Sequence, residues 1–206
     1  MTGILAIDTA SDDIALAYQD TNDEIRSLVR PSDRDHSRLL LALIDELVDA
    51  RVQDISRICV VKGPGSYSGL RVGIATAIGL ARALGVPVAG VETHTCIAHA
   101  AGITGPWVAI HPAGRREYAL RACEGAAVTG PLHAGTVDAF QGLTFAGETA
   151  GPLGGTEVSS RQRVLAALAL APTAANLDDA IYLRAPNVTR PRASTAHPHA
   201  STATSS

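Results

Sequence analysis

Residues 59–73 read CVVKGPGSYSGLRVG, from Cys59 to Gly73. Two β-branched residues, Val60 and Val61, lead through Lys62 into a turn that holds Gly63, Pro64, Gly65 and Gly69, and the chain then enters an alanine-rich segment at Leu70. This order predicts a strand, a tight loop and a helix. Such a loop presents backbone N–H groups at a helix N-terminus, where the helix dipole favours an anion. The spacing is not a Walker A loop, because Ser68 stands where its second glycine would be and no lysine precedes a hydroxyl residue. Gly63, Gly65, Ser66 and Gly69 are therefore candidate phosphate contacts, and the plainer alternative is a compact connection with Ser66 or Ser68 capping the helix.

Working outward, the helix is expected from about Leu70 to Leu84, with Gly85 and Pro87 as its stop. Gly73, Ala75, Ala77, Gly79, Ala81 and Ala83 keep most of its surface small. An interior glycine costs about 1 kcal/mol relative to alanine, so close approach of another backbone is the expected compensation. Upstream, Leu40, Leu43, Ile44 and Leu47 recur at helical spacing within a helix from His36 to Ala50. Leu39, Leu41 and Val48 widen its apolar arc beyond one sheet-facing stripe. Farther upstream, Gly3 to Asp8, Ile14 to Tyr18 and Ile25 to Val29 read as an antiparallel meander that Pro31, Ser32 and Asp33 end. Ile58 to Val61 and Val88 to Val91 are further strands, and Thr93 is expected to cap a short helix running to about Ala101.

Three antiparallel strands followed by alternating helices and strands give an α/β fold with a mixed sheet and flanking helices. This is the ribonuclease H-like layout of the actin-like (ASKHA) architecture, here with two lobes, the second reduced. Residues 1–102 form the expected N-terminal lobe, 103–186 a smaller C-terminal lobe, and 187–206 a disordered tail of Ser, Thr, Ala, Pro and His. In the second lobe, Val108 to His111 and Tyr118 to Cys123 read as a hairpin around Pro112, Ala113 and Gly114. Leu143 to Ala146 reads as a strand and Val164 to Ala171 as a helix.

The 206 residues are 46% hydrophobic, with net charge −3 and only 3% aromatic residues. That balance offers neither a global field for nucleic acid nor a stacking platform for bases. Cys59, Cys96 and Cys123 form no C-x-x-C pair and fit a reducing compartment. The first residues lack a basic region ahead of their short apolar run, and no apolar stretch of about 18 residues occurs. The expectation is a soluble cytoplasmic protein that does not enter membranes.

Asp8 ends the first strand with Thr9 and Ser11 in the following turn, the position at which actin-like ATPases place a carboxylate that serves the bound nucleotide. Asp8, Thr9 and Ser11 thus join the loop residues as candidate nucleotide contacts, although the glycine usual beside that carboxylate is absent. His94 and His99 are five residues apart, on different faces of a helix, so no metal ligand set is assigned. A hydrolase built from Ser66 or Ser68 with His36 and Asp8 lacks the G-x-S-x-G elbow.

DTAS at Asp8 to Ser11, His36-Ser37 ahead of an apolar helix, GPGSYSGLRVGIATAIGLARALGVPV from Gly63 to Val88, and YLRAP at Tyr182 to Pro186 together resemble the TsaB family, also called YeaZ. The resemblance runs from about residue 3 to residue 186. It implies a bacterial partner protein in forming threonylcarbamoyladenosine beside the tRNA anticodon, a degenerate relative of the catalytic subunit TsaD. The family pairs with TsaD through a bundle of the first two helices of each subunit, and the small ATPase TsaE joins them. On this resemblance His36, Leu40, Leu41, Ile44, Val48, Arg71, Gly73 and Ala77 are the expected interface. The expected role is a scaffold and activator with no catalytic residues, no cofactor in isolation, ATP or ADP at most at the TsaD interface, and tRNA reached only through the complex. The same helices offer a route to a homodimer when TsaD is absent. TsaD-like subunits carry histidines at H-x-x-x-H spacing, which this sequence lacks. Relatives also place an aspartate after the strand at Val108 to Ile110, where this chain has His111, so no function of that acid is carried over. The alternative is a small ASKHA-type kinase acting alone through Asp8, with Gly154 and Gly155 near an adenine.

Overall fold

The computed structural model describes residues 3–32, 35–113, 117–140 and 142–181. Asp33, Gly114, the Tyr182 to Pro186 motif and the 187–206 tail lie outside the described residues. The first sheet is built from β1 (Gly3–Asp8), β2 (Asp13–Gln19), β3 (Ile25–Pro31), β4 (Ile55–Val61) and β5 (Val88–Val91) in the order β3-β2-β1-β4-β5. β1, β2 and β3 are antiparallel, whereas β4 lies parallel to both β1 and β5. The mixed sheet expected from the meander and crossovers is therefore present.

Alternation along the central strands sorts side chains by size. Leu5, Ile7, Ile14, Leu16, Ile58 and Val60 point to one face, where they pack with α1 (His36–Val48) and α2 (Tyr67–Leu84). Ala6, Ala15, Ala17, Cys59 and Val61 point to the other, against α3 (Thr93–Ala101) and α4 (Ser160–Leu170). Large residues on one side hold the helices off, while small residues on the other let α4 settle close on β1 and β2.

The second sheet contains β6 (Pro106–Pro112), β7 (Tyr118–Glu124), β8 (Ala127–Val128), β9 (His133–Gly135), β10 (Phe145–Gly147) and β11 (Thr156–Glu157). Its order is β11-β10-β6-β7-β8, with β9 also pairing β7. The chain then returns, and α4 packs on the first sheet through Val164, Ala167, Leu168 and Ala171. Residues 175–177 run beside β5, with Gly90 N–H donating to the Ala175 carbonyl and Leu177 N–H to that of Val88. No helix among the described residues is long and apolar enough to cross a membrane.

Several boundaries move. Helix α2 starts at Tyr67 because Ser66 is its N-cap, accepting from Gly69 N–H. Helix α1 ends at Val48, since Asp49 and Ala50 both take left-handed backbone angles. The N-cap of α3 is Glu92, and Thr93 instead donates its hydroxyl to the Pro64 carbonyl at 2.7 Å. The strand expected at Leu143 to Ala146 starts two residues later and ends one residue later, at Phe145–Gly147, where Phe145 pairs with Val108.

Candidate functional site

The turn of residues 8–11 is a hub on which four parts of the fold converge. Asp8 Oδ1 accepts the Ala10 N–H at 2.9 Å, which closes the turn on itself. Thr9 Oγ1 donates to the Gly69 carbonyl at 2.9 Å, and Ser66 N–H donates to the Ala10 carbonyl at 2.7 Å. His36 Nε2, at the start of α1, donates to the Ser11 carbonyl at 3.2 Å. His111 Nε2, at the end of β6, donates to the Ala10 carbonyl at 3.2 Å.

The glycines of the loop serve this interlock. A Cβ on Gly65 would stand 2.3 Å from the Ala10 carbonyl oxygen, one on Gly69 would stand 2.1 Å from that of Thr9, and one on Gly73 would stand 2.2 Å from Thr9 Oγ1. Gly63 takes φ +105° and abuts the Ile181 carbonyl, and its peptide to Pro64 is cis. The loop thus receives the backbone of the 8–11 turn at the place where a phosphate cradle was expected, and each motif is the other's ligand. Gly154 ends a short helical turn with φ +74° and open space around it, whereas a Cβ on Gly155 would stand 2.2 Å from the Phe145 carbonyl oxygen, so Gly155 is committed to packing within the chain.

On the far side of the turn a guanidinium fills the space. Arg163 Nε lies 3.0 Å from Asp8 Oδ2, its Nη2 lies 3.0 Å from Ser11 Oγ, and its Nη1 reaches Glu148 Oε2. Arg163 and Asp8 are both buried. Burial alone works against the charge of Arg163, but the carboxylates of Asp8 and Glu148 outweigh it and hold the guanidinium cationic. Burial pushes the Glu148 carboxyl up, with Arg163 opposing. His111 is driven well down by burial and by the neighbouring Arg163 cation, so its 3.7 Å approach to Glu148 joins a neutral imidazole to a carboxyl group.

These residues do not fit a metal–nucleotide pair at Asp8. The Asp8 carboxylate already satisfies a guanidinium and a backbone N–H, and Ser66 N–H is spent on Ala10. A hydrolase centre fails on the same grounds, since Ser66 caps α2 and the His36 Nε2 faces the Ser11 carbonyl. Sequence reading grouped Asp8, Thr9, Ser11, Gly63, Gly65, Ser66 and Gly69 as nucleotide contacts; Asp8, Thr9, Ser11, Gly65, Ser66 and Gly69 come together at the 8–11 turn, while Gly63 packs against Ile181 and Leu70. It missed Arg163 and Glu148 and assigned His111 no role. The available signal was Arg163 at i and Ala166, Ala167 at i+3 and i+4, which sets a cation on the buried face of α4.

The second candidate surface is the outer side of α1 and α2. Of the expected interface residues, Leu40, Ile44, Val48 and Ala77 are corrected: their side chains are buried in the chain's own core beneath the two helices. His36 is buried against Ser11, and Gly73 against Thr9. The close approach expected to offset Gly73 therefore comes from inside the chain. Leu41 is 59% exposed and Arg71 is exposed. Ser37, Ala42 and Asp45 accompany Leu41 on the open side of α1, and Tyr67, Ala75, Gly79 and Arg82 lie with Arg71 on that of α2. Nothing lies within 4 Å of a Cβ placed on Gly79. A groove of about 370 Å³ runs between α2 and residues 177–180, with Ile74 and Ile78 on one wall and Leu177 and Asp178 on the other.

The family model described as TsaD, tRNA N6-adenosine threonylcarbamoyltransferase, matches residues 29–131. The tRNA threonylcarbamoyladenosine biosynthesis protein TsaB of Bacillus subtilis is 34% identical over 93 residues, 44% of this chain and 41% of that protein. The TsaB of Haemophilus influenzae is 32% identical over 48% of this chain and 42% of its own length. Each match thus spans less than half of the curated TsaB relative. An uncharacterized protein of Mycobacterium tuberculosis is 34% identical over 70% of this chain and 71% of its own length. Among solved structures, YeaZ from Pseudomonas aeruginosa superposes with a TM-score of 0.67 at 20% identity, covering 84% of this chain and 93% of that one. That likeness is one of fold, and it extends across both sheets.

Proposed function

This chain belongs to the TsaB (YeaZ) family, and on that premise we propose that it is a non-catalytic scaffold and activator in making threonylcarbamoyladenosine next to the tRNA anticodon. It acts by forming a heterodimer with TsaD. The observation that carries the non-catalytic part is the buried Asp8–Arg163 pair. An actin-like enzyme needs that carboxylate open to its nucleotide, and here the chain's own arginine holds it. A self-sufficient kinase would have to expel Arg163 into a site that leaves both charges unpaired.

The heterodimer reading is supported by the open side of α1 and α2. Leu41 offers an apolar anchor, and Ala42, Ala75 and Gly79 offer a thin surface on which a partner helix can pack at about 8 Å between axes. A nucleotide in the assembly would be held at the TsaD interface, outside the closed 8–11 turn. TsaE joins the same assembly, which works in the cytoplasm. With net charge −3 the chain reaches tRNA through its partners. In the absence of TsaD the exposed pair of helices favours a homodimer.

Light scattering after size exclusion, with and without the cognate TsaD, tests this reading. The expected result is a heterodimer at the expense of any homodimer, together with TsaD-dependent tRNA modification that needs this chain. Separate elution of the two proteins at micromolar concentration overturns it.

A further inference from the structure

We propose that His111 and Glu148 hold one exchangeable proton between them, and that this proton latches the second sheet to the 8–11 turn of the first. His111 stands at the end of β6 and is 1% exposed. Its Nε2 faces the Ala10 carbonyl at 3.2 Å. A carbonyl only accepts, so Nε2 carries the hydrogen. The other ring nitrogen, Nδ1, is buried without a hydrogen-bond partner and lies 3.7 Å from Glu148 Oε2.

With Glu148 ionised, a bare imidazole lone pair would face a carboxylate, acceptor against acceptor, in a place with little water to separate them. One proton removes that clash and draws the 3.7 Å pair together toward hydrogen-bond distance. The charge count points the same way. Asp8 from β1 and Arg163 from α4 cancel, so an ionised Glu148 leaves a surplus negative charge that Asp13 from β2 reinforces. His94 from α3 stays neutral and supplies no compensation. Burial raises the Glu148 carboxyl, against Arg163, and lowers His111, so of the two groups the carboxyl is the one that burial favours as the carrier of the proton. Glu148 is 27% exposed in its side chain, which opens a path for exchange with solvent.

The latch joins separate parts of the fold, because His111 belongs to the second sheet, Ala10 to the first and Arg163 to the returning helix. A group held protonated by the folded state favours that state at low pH and ceases to do so as pH rises through its folded midpoint. Loosening of the 8–11 turn is therefore expected on the alkaline side.

Nuclear magnetic resonance on the full, isotopically labelled chain tests this from about pH 5 to about pH 9. The ring nitrogens of His111 and the carboxyl carbon of Glu148 should move together with one midpoint, as interacting groups do. Hydrogen exchange in residues 8–14, corrected for intrinsic rates, should accelerate above that midpoint. In Glu148→Gln the amide still accepts from Arg163 and donates to Nδ1, so the His111 signals should stay flat in the Nε2–H form. Separate midpoints in the wild type, or an unchanged His111 titration in Glu148→Gln, overturn the proposal. Should Glu148→Gln fail to fold, His111→Gln decides: a Glu148 midpoint shifted by about one pH unit or more supports the shared proton, and an unmoved one overturns it.

Discussion

Arg163 Nε lies 3.0 Å from Asp8 Oδ2, with side-chain exposures of 0% and 1%. The pair connects the first strand of the chain with its last described helix, 155 residues apart. Two charges removed from water cost more to strand singly than to remove together, so the value of the pair lies in what happens when one partner is lost. Arg163→Met should destabilise the fold by about 3–5 kcal/mol, read from urea unfolding. Adding Asp8→Asn to that variant should restore a substantial part of the loss. A double variant no more stable than the single one would show that Arg163 contributes by packing and not by its charge.

The parts of this arrangement that were legible in the sequence are those set by local rules. The alternation in β1 and β2, the 3.6-residue spacing in α1 and the Gly-Pro-Gly-Ser entry to α2 each act over a few residues, and each element formed in the expected segment, with ends displaced by up to three residues. The failures lie where distant segments meet. The loop of residues 63–69 has the composition of an anion cradle, yet what fills it is the Ala10 carbonyl, more than fifty positions away. Likewise the wide apolar arc of α1 was read as a partner surface, whereas β2 and α2 cover Leu40, Ile44 and Val48. Apolarity marks a surface to be buried and does not name what buries it.

The glycines of α2 provide a graded test. Gly69→Ala sets a Cβ 2.1 Å from the backbone oxygen of Thr9, where no flexible atom can yield, and should cost about 3 kcal/mol or more. Gly73→Ala meets only Thr9 Oγ1, which can rotate away by giving up its bond to the Gly69 carbonyl, and should cost about 1–2 kcal/mol. Gly79→Ala, with open space around it, should stabilise by about 0.5–1 kcal/mol through helix propensity. Thermal unfolding of the three variants should rank them in that order. A destabilising Gly79→Ala would show that a close approach exists at that site.

Acid sensitivity should be shared by the two buried histidines, His111 and His94, and the share of His94 can be isolated. Its ring is fully buried on α3, with Nε2 donating to the Ala119 carbonyl at 3.0 Å, and burial lowers its pKa from 6.5 to about 4. The unfolded chain takes up a proton near pH 6.5 that the folded chain refuses. Stability is therefore fully present above that value and is lost progressively as pH falls toward about 4. The full effect is on the order of 3 kcal/mol. His94→Gln retains a donor for Ala119 and removes the proton, so its unfolding free energy should decline less steeply over the same interval. Equal slopes for the two proteins, measured by urea titration at each pH, would exclude His94 as a source.

Substitutions on α1 and α2 can separate partner binding from folding once burial is taken into account. Ala77→Arg is unsuitable, because Ala77 is fully buried between α2 and the sheet and a guanidinium there has no acidic partner. It should unfold the chain, with a cost of several kcal/mol. Ala75 lies half a turn away on the open side of the same helix, and Leu41 stands on that of α1. Ala75→Arg and Leu41→Asp should leave thermal stability within about 0.5 kcal/mol of the parent. A guanidinium projecting from a thin helical surface prevents a second helix from approaching, and an aspartate removes the exposed apolar anchor. Each variant should therefore weaken TsaD binding at least about tenfold by titration calorimetry, which corresponds to about 1.4 kcal/mol. Wild-type affinity in both folded variants would move the heterodimer surface away from α1 and α2.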